Sequence, residues 1–373
     1  MPMASKGNLR SEIGKVISSG ISEGAYCGAV GIVARESSPL YLKAFGLASV
    51  LPLREKMNGG MLFDLASITK AVAATTSIMT LVDEGRISLS DKVADIVPEF
   101  GVNGKNHVTV LDLLTHTSGL AEWADLYTRH STREDVLREI CSLGLGYPSG
   151  GSVLYSDLGF MMLGGLVEHI SGVALDRYAS SRVFGPLSMK DTMFNPPKRL
   201  ARHCVPTEYS NWRLRMVRGE VHDENAFAME GVSGHAGLFS TAQDLARFAT
   251  MVCNKGEVEG TRILSPESVD LMATNHTQEL NESRGLGWLV EPEFTEGAKT
   301  WEIGHNGYTG VSMAISFKKR AFAALLTNRV HPVREGKIPS DKSVGIMMTR
   351  RRRWVEYLPK FYQLAEMLVG GEN

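Results

Sequence analysis

Cysteine is scarce in this sequence, and no two cysteines lie close together along the chain. Cys27, Cys141, Cys204 and Cys253 form no Cys-x-x-Cys pair. Spacing of this kind argues against a zinc site and against a disulfide framework. We therefore expect all four to be reduced, buried side chains that behave as small hydrophobic residues.

The chain also lacks an excess of charge and long apolar runs. Its 40 Lys and Arg residues are balanced by 41 Asp and Glu residues, so neither nucleic acid nor an anionic membrane is an expected partner. Apolar runs such as residues 160–167 are much shorter than the about 20 residues of a membrane-spanning helix. Residues 1–7 carry charge without an apolar segment behind it, unlike a secretory signal. We therefore expect a cytoplasmic protein.

Strand-like segments lie towards both ends of the chain, and helix-like segments fill the middle. Residues 29–48 contain two runs rich in Val, Ile, Tyr and Phe, and residues 311–318 alternate large apolar residues with small or polar ones. We predict an α/β fold of the α+β type, in which helices flank a mixed antiparallel sheet made from both chain ends. The predicted domains are an α/β domain of residues 1–85 and 240–373 and a mainly helical insertion of residues 86–239.

The strongest local signal is Ser67-Ile68-Thr69-Lys70, at the start of a predicted helix that ends at Gly85. Positions i and i+3 share one face of a helix, so the Ser67 hydroxyl and the Lys70 amine can meet. The unpaired N–H groups at a helix N-terminus favour a developing negative charge there. The spacing makes Ser67 a candidate nucleophile and Lys70 its candidate partner in proton transfer, but the motif taken alone also fits an ordinary helix surface.

A second serine fits a different catalytic pattern. Gly20-Ile21-Ser22-Glu23-Gly24 matches the G-x-S-x-G turn of α/β-hydrolases. That turn requires a strand directly before it, whereas only a short helical segment precedes Ser22. We therefore reject Ser22 as the nucleophile.

Two further motifs carry groups suited to acyl transfer. Tyr155-Ser156-Asp157 follows a Gly- and Pro-rich approach, and a phenol near an ammonium group can act as base and acid. Residues 304–310, Gly-His-Asn-Gly-Tyr-Thr-Gly, directly precede a predicted strand. Glycines at a strand edge let a substrate approach the backbone, whose N–H groups can donate to it.

The order of these motifs resembles that of the class C β-lactamase and penicillin-binding serine hydrolase family, which includes esterases and D-aminopeptidases. Residues 113–120 and 234–241 resemble the family as well, and the resemblance extends over about residues 10–330. It implies an acyl-enzyme mechanism in which Ser67 attacks a carbonyl and Lys70 and Tyr155 share the proton transfers. Either of these two residues could be the base.

The resemblance also implies the supporting parts of the site. The oxyanion hole consists of the backbone N–H groups of Ser67 and Tyr308, and Asn306 and Gly307 support the substrate. No cofactor is implied. Adjacent side chains such as His222 and Asp223 rarely converge on one ion, so we expect no metal and place His222 in a loop beside the cleft.

Two departures from the antibiotic-hydrolysing pattern narrow the substrate. His305 stands where these enzymes usually have a lysine, and Asp157 stands where they usually have an asparagine. A neutral imidazole does not hold a carboxylate as a permanent cation does, and an ionised Asp157 accepts hydrogen bonds but cannot donate them. Asp157 also favours the ammonium form of Lys70 and thereby shifts proton abstraction towards Tyr155.

We predict a serine hydrolase that acts on a small ester or amide, or on a substrate that brings its own amine. The alternatives are a β-lactamase or a D,D-peptidase of the penicillin-binding type and, from another class, a catalytically silent protein that binds acyl or peptide ligands. The expected partner is a small-molecule ester, amide or peptide substrate. The sequence does not determine the oligomeric state.

Overall fold

The computed structural model describes residues 5–36, 38–333 and 353–370, and its largest sheet is built from both ends of the chain. Within these residues the sheet has seven antiparallel strands in the order β11-β12-β13-β14-β1-β2-β3. The strands are β1 (Gly28–Arg35), β2 (Ser38–Ser49), β3 (Glu55–Lys56), β4 (Phe63–Asp64), β5 (Met193–Phe194), β6 (Tyr209–Ser210), β7 (Arg215–Met216), β8 (Leu238–Ser240), β9 (Glu257–Val258), β10 (Thr261–Arg262), β11 (Leu289–Val290), β12 (Ile303–Gly307), β13 (Val311–Ser316) and β14 (Ala321–Thr327).

Helices cover both faces of this sheet and make up most of the insertion. They are α1 (Lys6–Ser22), α2 (Thr76–Asp83), α3 (Val93–Ile96), α4 (Val110–Leu114), α5 (Arg133–Ser142), α6 (Asp157–Ser171), α7 (Leu175–Ala179), α8 (Glu224–Ala228), α9 (Ala242–Cys253), α10 (Pro266–Ala273) and α11 (Leu358–Gly370). Two π-helical segments (Lys70–Thr75 and Ser180–Phe184) and four 3₁₀ segments (Pro98–Gly101, Lys198–His203, Glu293–Thr295 and Trp354–Tyr357) complete the helical structure of the described residues. The predicted fold class is confirmed.

Side-chain alternation in the central strands explains the two layers of helices. In β14, Phe322 and Leu326 belong to the core on the side covered by α9, while Ala323 and Leu325 pack beneath α1 and α11. Successive side chains of a strand point to opposite faces, so β14 contributes to both cores.

Strand β13 differs from its prediction in one respect. The period-two pattern predicts a single buried face, but both faces of β13 are buried. On the face made of small residues, the Tyr362 hydroxyl of α11 donates to the Ser312 hydroxyl at 3.0 Å. The small side chains there make room for the aromatic residues of α11.

A short three-stranded sheet, β4-β8-β5, joins the two predicted parts of the chain beside the first motif. Asp64 pairs with Phe239, and the Leu65 N–H donates to the Leu238 carbonyl at 2.9 Å. This sheet therefore fixes the backbone just before Ser67.

Among the described residues, no single helix is long and apolar enough to cross a bilayer. α6 and the helical stretch Leu175–Phe184 together have the length and apolar composition of such a helix, but the chain bends by 76° between them. The four cysteines are all buried, and none is in a disulfide within the described ranges.

Candidate active site

Ser67 lies in a tight turn between β4 and the π-helical segment Lys70–Thr75, so that segment begins three residues after the helix start predicted at Ser67. The Lys70 N–H donates to the Ser67 carbonyl at 3.0 Å, which closes the turn. The Lys70 ammonium donates to the Ser67 Oγ at 3.1 Å. The i, i+3 spacing therefore brings the two groups together, as the sequence predicts.

The turn is strained, and a buried carboxylate holds it. Ala66 has a φ of 45°, which is unfavourable for a residue with a Cβ atom. Asp64 accepts the Ala66 N–H at 2.8 Å and the His222 N–H at 2.6 Å. Burial raises the pKa of Asp64 to about 6, although both N–H donors act in the opposite direction. Asp64 thus fixes the backbone directly before Ser67.

Lys70 is fully buried and has three oxygen atoms around its ammonium group. Besides Ser67, these are the His235 carbonyl at 3.1 Å and the Asp157 Oδ1 at 2.6 Å. Burial lowers the pKa of Lys70, but Asp157 and Tyr155 raise it by more, so the net pKa lies above its usual value. Lys70 is therefore held as an ammonium ion.

Tyr155 lies in the loop directly before α6, where two aromatic rings position it. Its ring packs on His116 at a centroid distance of 4.5 Å, and His116 packs on Phe160 at 4.9 Å. The Ser156 N–H donates to the His116 Nδ1 at 2.9 Å, which fixes that imidazole with its proton on Nε2. His116 is thus a structural residue that supports Tyr155 directly.

The phenol of Tyr155 is close to both members of the first motif. The Lys70 Nζ lies 4.7 Å from the centroid of the Tyr155 ring. Burial raises the pKa of Tyr155 above its usual value and Asp157 adds to this, while Lys70 and the Ser67 hydroxyl lower it. The net pKa of Tyr155 lies above its usual value, so the resting phenol is protonated and its ionisation depends on the cations that surround it.

The third motif forms β12 and the turn after it. A Cβ atom on Gly307 would lie 2.4 Å from the Leu65 carbonyl oxygen, so only glycine allows β12 to approach the Ser67 segment this closely. The Thr309 hydroxyl donates to the Asp64 carbonyl at 2.7 Å. These contacts bring Tyr308 alongside the backbone that leads to Ser67, and the His222 ring stacks on Tyr308 at a centroid distance of 5.7 Å.

His305 faces the Tyr155 ring at a centroid distance of 6.3 Å, and Asn306 follows it in β12. The His305 Nδ1 is 2.8 Å from the Asn306 carbonyl, which leaves Nε2 as the acceptor nitrogen. Within the described residues, neither this Nε2 nor the Asn306 Oδ1 has a hydrogen-bond partner. Burial, Lys70 and Arg284 lower the pKa of His305 to about 3, so the imidazole is neutral at pH 7.

A hydrogen-bonded histidine–carboxylate pair lies behind Lys70. The His235 Nε2 is 2.9 Å from the Asp223 Oδ1, and the His235 Nδ1 is 2.8 Å from the Ser233 hydroxyl. Burial raises the pKa of Asp223, but His235 and the Ala226 N–H lower it by more, and the net pKa is far below its usual value. This pair holds the loop whose carbonyl binds Lys70.

These residues also define the one group of potential metal ligands found among the described residues. Ligand atoms of Asp157, Asp223 and His235 lie within 4.8 Å of one another. Lys70 already places a positive charge 2.6 Å from Asp157. A divalent cation would have to displace or repel that ammonium, so the donor set does not favour a metal.

Comparison with known proteins places the chain in a family. Residues 13–344 match the beta-lactamase family model. The chain is 33% identical over 337 residues to the N-acetylmuramyl-L-alanine amidase of Bacillus subtilis strain 168, covering 81% of this chain and 75% of that relative. It is 32% identical over 342 residues to a putative D-alanyl-D-alanine carboxypeptidase of Escherichia coli K12, covering 80% of this chain and 78% of the relative.

The chain belongs to the beta-lactamase family, which confirms the resemblance found in the sequence. It is a serine hydrolase of ester or amide bonds. The crystal structure of a penicillin-binding protein homologue from Caulobacter crescentus has the same fold, with a TM-score of 0.71 at 22% identity over 86% of this chain and 92% of that one.

Sequence reasoning missed three charged residues of this beta-lactamase family site. Asp64 and Asp223 were visible only as neighbours of other motifs, and Arg284 belongs to no motif. Each acts through a contact with a residue distant in sequence, such as the Asp64–His222 bond across 158 positions. A single sequence carries no signal for such contacts.

Proposed function

We propose that this beta-lactamase family member hydrolyses small esters or amides through an acyl-enzyme on Ser67. The observation that supports this most directly is the position of the Lys70 ammonium, 3.1 Å from the Ser67 Oγ and 2.6 Å from the Asp157 carboxylate. A serine hydroxyl beside a fully buried ammonium is arranged for covalent catalysis rather than for surface hydrogen bonding.

In the proposed acylation step, Tyr155 is the base and Lys70 remains an ammonium ion. The phenol of Tyr155 first loses its proton to solvent. The phenolate then takes the Ser67 proton as the Oγ attacks the carbonyl carbon, and the phenol returns that proton to the leaving group. Asp157 keeps the proton on Lys70, and Lys70 in turn stabilises the phenolate. Because Tyr155 and Lys70 are coupled, a pH profile reports the pair rather than either residue.

The proposed oxyanion hole consists of the backbone N–H groups of Ser67 and Tyr308. The residues next to these two donors, Ala66 and Thr309, both bind Asp64, through its carboxylate and its carbonyl respectively. Water then attacks the acyl-Ser67 carbonyl, with Tyr155 as the base again, and releases the acid.

The charges around the substrate carbonyl favour esters and simple amides over β-lactams. His305 is neutral, and no positive charge on it can hold a penicillin carboxylate. Asp157 is an acceptor where a β-lactam acylamido carbonyl requires a donor. A substrate amine, by contrast, suits the carboxylates of Asp157 and Asp223, whose side chains are 20% and 24% exposed.

Amides from bacterial cell-wall fragments are a second candidate substrate class. The amidase and the carboxypeptidases that this chain resembles are named for acting on such bonds. A cytoplasmic location remains part of the proposal, and it would restrict these substrates to soluble fragments.

The decisive experiment combines covalent labelling with a substrate panel. A fluorophosphonate should add one adduct to the intact protein, mapped to Ser67, and Ser67→Ala should abolish both the adduct and turnover. Ser22→Ala is the matched control, because Ser22 ends α1 and its hydroxyl donates to the Ser19 carbonyl. Labelling of Ser67→Ala, or turnover by it, would contradict the proposal.

The panel separates the substrate classes and the silent-protein alternative. It contains short-chain p-nitrophenyl esters, D-amino-acid p-nitroanilides, N-acetylmuramyl-L-alanine, acetyl-D-alanyl-D-alanine and nitrocefin. We expect ester or amide turnover well above that of nitrocefin. Comparable nitrocefin turnover favours a β-lactamase, and ligand binding by wild type and Ser67→Ala alike, without turnover, identifies a binding protein.

A further inference from the structure

Arg284 is a buried cation on the face of the Tyr155 ring. It lies next to β11, its side chain is 5% exposed, and its guanidinium carbon is 5.5 Å from the ring centroid. The Lys70 ammonium is 4.7 Å from the same centroid. Tyr155 is therefore in contact with two cations, of which the sequence motifs include only Lys70.

The position of Arg284 is fixed by a carboxylate rather than by the substrate. Its Nε and one terminal nitrogen donate to the same Glu282 oxygen at 2.7 and 2.6 Å. Its backbone N–H donates to the Thr277 hydroxyl at 2.8 Å. Glu282 is 39% exposed, so solvent screens its charge more than it screens that of Arg284.

The other groups facing Tyr155 determine how much this cation matters. The charged and titratable side chains around the ring are Lys70 from the π-helical segment, Asp157 from the start of α6, His116 after α4, His305 from β12 and Arg284 beside β11. The two imidazoles are neutral, since burial and nearby cations lower the pKa of each. The Asp157 charge is already paired with Lys70. Arg284 is therefore the charged group around the ring that is neither neutral nor paired with Asp157.

We infer that Arg284 is a positioning residue that stabilises the phenolate of Tyr155 and so makes this base easier to form. A cation over an aromatic ring is attracted by the ring, and it is attracted more strongly once the phenol carries a full negative charge. His305 cannot provide such a cation, although lysine commonly occupies its place in related motifs. This inference rests on the proposed role of Tyr155 as the base.

The test is the pH dependence of kcat/KM for an activated ester. Arg284→Gln should move the acidic limb of the profile to higher pH by about one unit, because the phenolate loses a stabilising charge. At a pH on that limb, activity should fall about ten-fold. Arg284→Lys should keep the limb near its wild-type position. Arg262→Gln, which breaks a similar Arg–Glu pair on the β9–β10 hairpin, is the matched control and should leave the limb in place.

Glu282→Gln provides an independent test in case Arg284→Gln does not fold. Removal of this carboxylate leaves Arg284 less neutralised, so the acidic limb should move to lower pH. If the limb stays in place in every folded variant, whatever the loss of activity or of thermal stability, Arg284 has only a structural role and the inference is wrong. If Ser67→Ala and Tyr155→Phe retain activity, the proposed function itself fails. The two failures are therefore distinguishable.

Discussion

The hydroxyl of Thr309 donates a hydrogen bond of 2.7 Å to the carbonyl of Asp64, and this bond joins the third motif to the first. The carboxylate of the same Asp64 binds the Ala66 N–H at 2.8 Å. One buried residue thus contacts the neighbour of each proposed oxyanion-hole donor. The spacing between these donors depends on Asp64, on Gly307 and on the short sheet that contains β4.

Replacing Asp64 with asparagine should change how stability depends on pH. The pKa of Asp64 is about 6 in the folded protein and about 3.9 in an unfolded chain, so the folded state binds more protons between these values. Wild type should therefore lose up to about 3 kcal/mol of unfolding free energy from this group as the pH rises from 4 to 7. Asp64→Asn lacks this decline. Urea unfolding at several pH values measures this decline. If the unfolding free energies of the two proteins depend on pH in the same way, the raised pKa of Asp64 is contradicted.

Gly307→Ala should lower kcat by about 100-fold or more, because the new Cβ would lie 2.4 Å from the Leu65 carbonyl and would push β12 away from Ser67. KM should change much less if the displaced strand mainly disturbs transition-state contacts. Gly59→Ala is the matched control, since a Cβ there meets no atom within 4 Å. Steady-state ester hydrolysis measures both variants. Equal kcat values would show that β12 tolerates the shift.

Asp157→Asn should shift both the pH profile and the substrate preference. Asp157 raises the pKa of both Lys70 and Tyr155, so its removal should move the acidic limb of kcat/KM to lower pH. An asparagine amide can also donate to an acylamido carbonyl. We therefore expect the ratio of nitrocefin to ester turnover to rise about ten-fold. Asp157→Ala separates the effects, because it should shift the limb without raising that ratio.

Asp223→Asn should destabilise the protein by about 2 kcal/mol at pH 7, because a neutral amide replaces the carboxylate that binds His235 and the Ala226 N–H. The pKa of Asp223 is lowered on folding, so its contribution is fully present above about pH 4 and is lost as the pH falls further towards the folded pKa. Ser233→Ala removes the other hydrogen bond of the same imidazole and should cost only about 1 kcal/mol. Thermal or urea unfolding at pH 7 compares them. An equal loss for the two variants would argue against a charged contribution from Asp223.

The ordered motifs allow the fold and the central groups of the site to be predicted from local patterns. Patterns that depend on a few neighbouring residues can be recognised in a single sequence. They include the Ser67–Lys70 spacing, the alternation in β13 and the glycine at 307. The π-helical geometry of Lys70–Thr75 could not be predicted, because the periodicity of apolar residues does not distinguish a π-helix from an ordinary α-helix.

The charges around the motifs could not be predicted in the same way. Arg284 reaches Tyr155 across 129 positions because β11 and α6 meet only in the folded chain. Likewise, Asp223 follows His222, which the sequence places beside the cleft, yet it is Asp223 whose side chain binds His235. These roles arise from tertiary packing, which cannot be predicted from local patterns in a single sequence.

The pairing of β1 with β14 has a consequence for biosynthesis. Gly28 and Asn328, joined by a hydrogen bond at the end of this ladder, are 300 residues apart. The hairpin of β1 and β2 therefore leaves the ribosome long before the strand that covers its open edge, and the sheet cannot close until β14 has been synthesised. During that interval β1 presents an unpaired apolar edge that can pair with strands of other nascent chains.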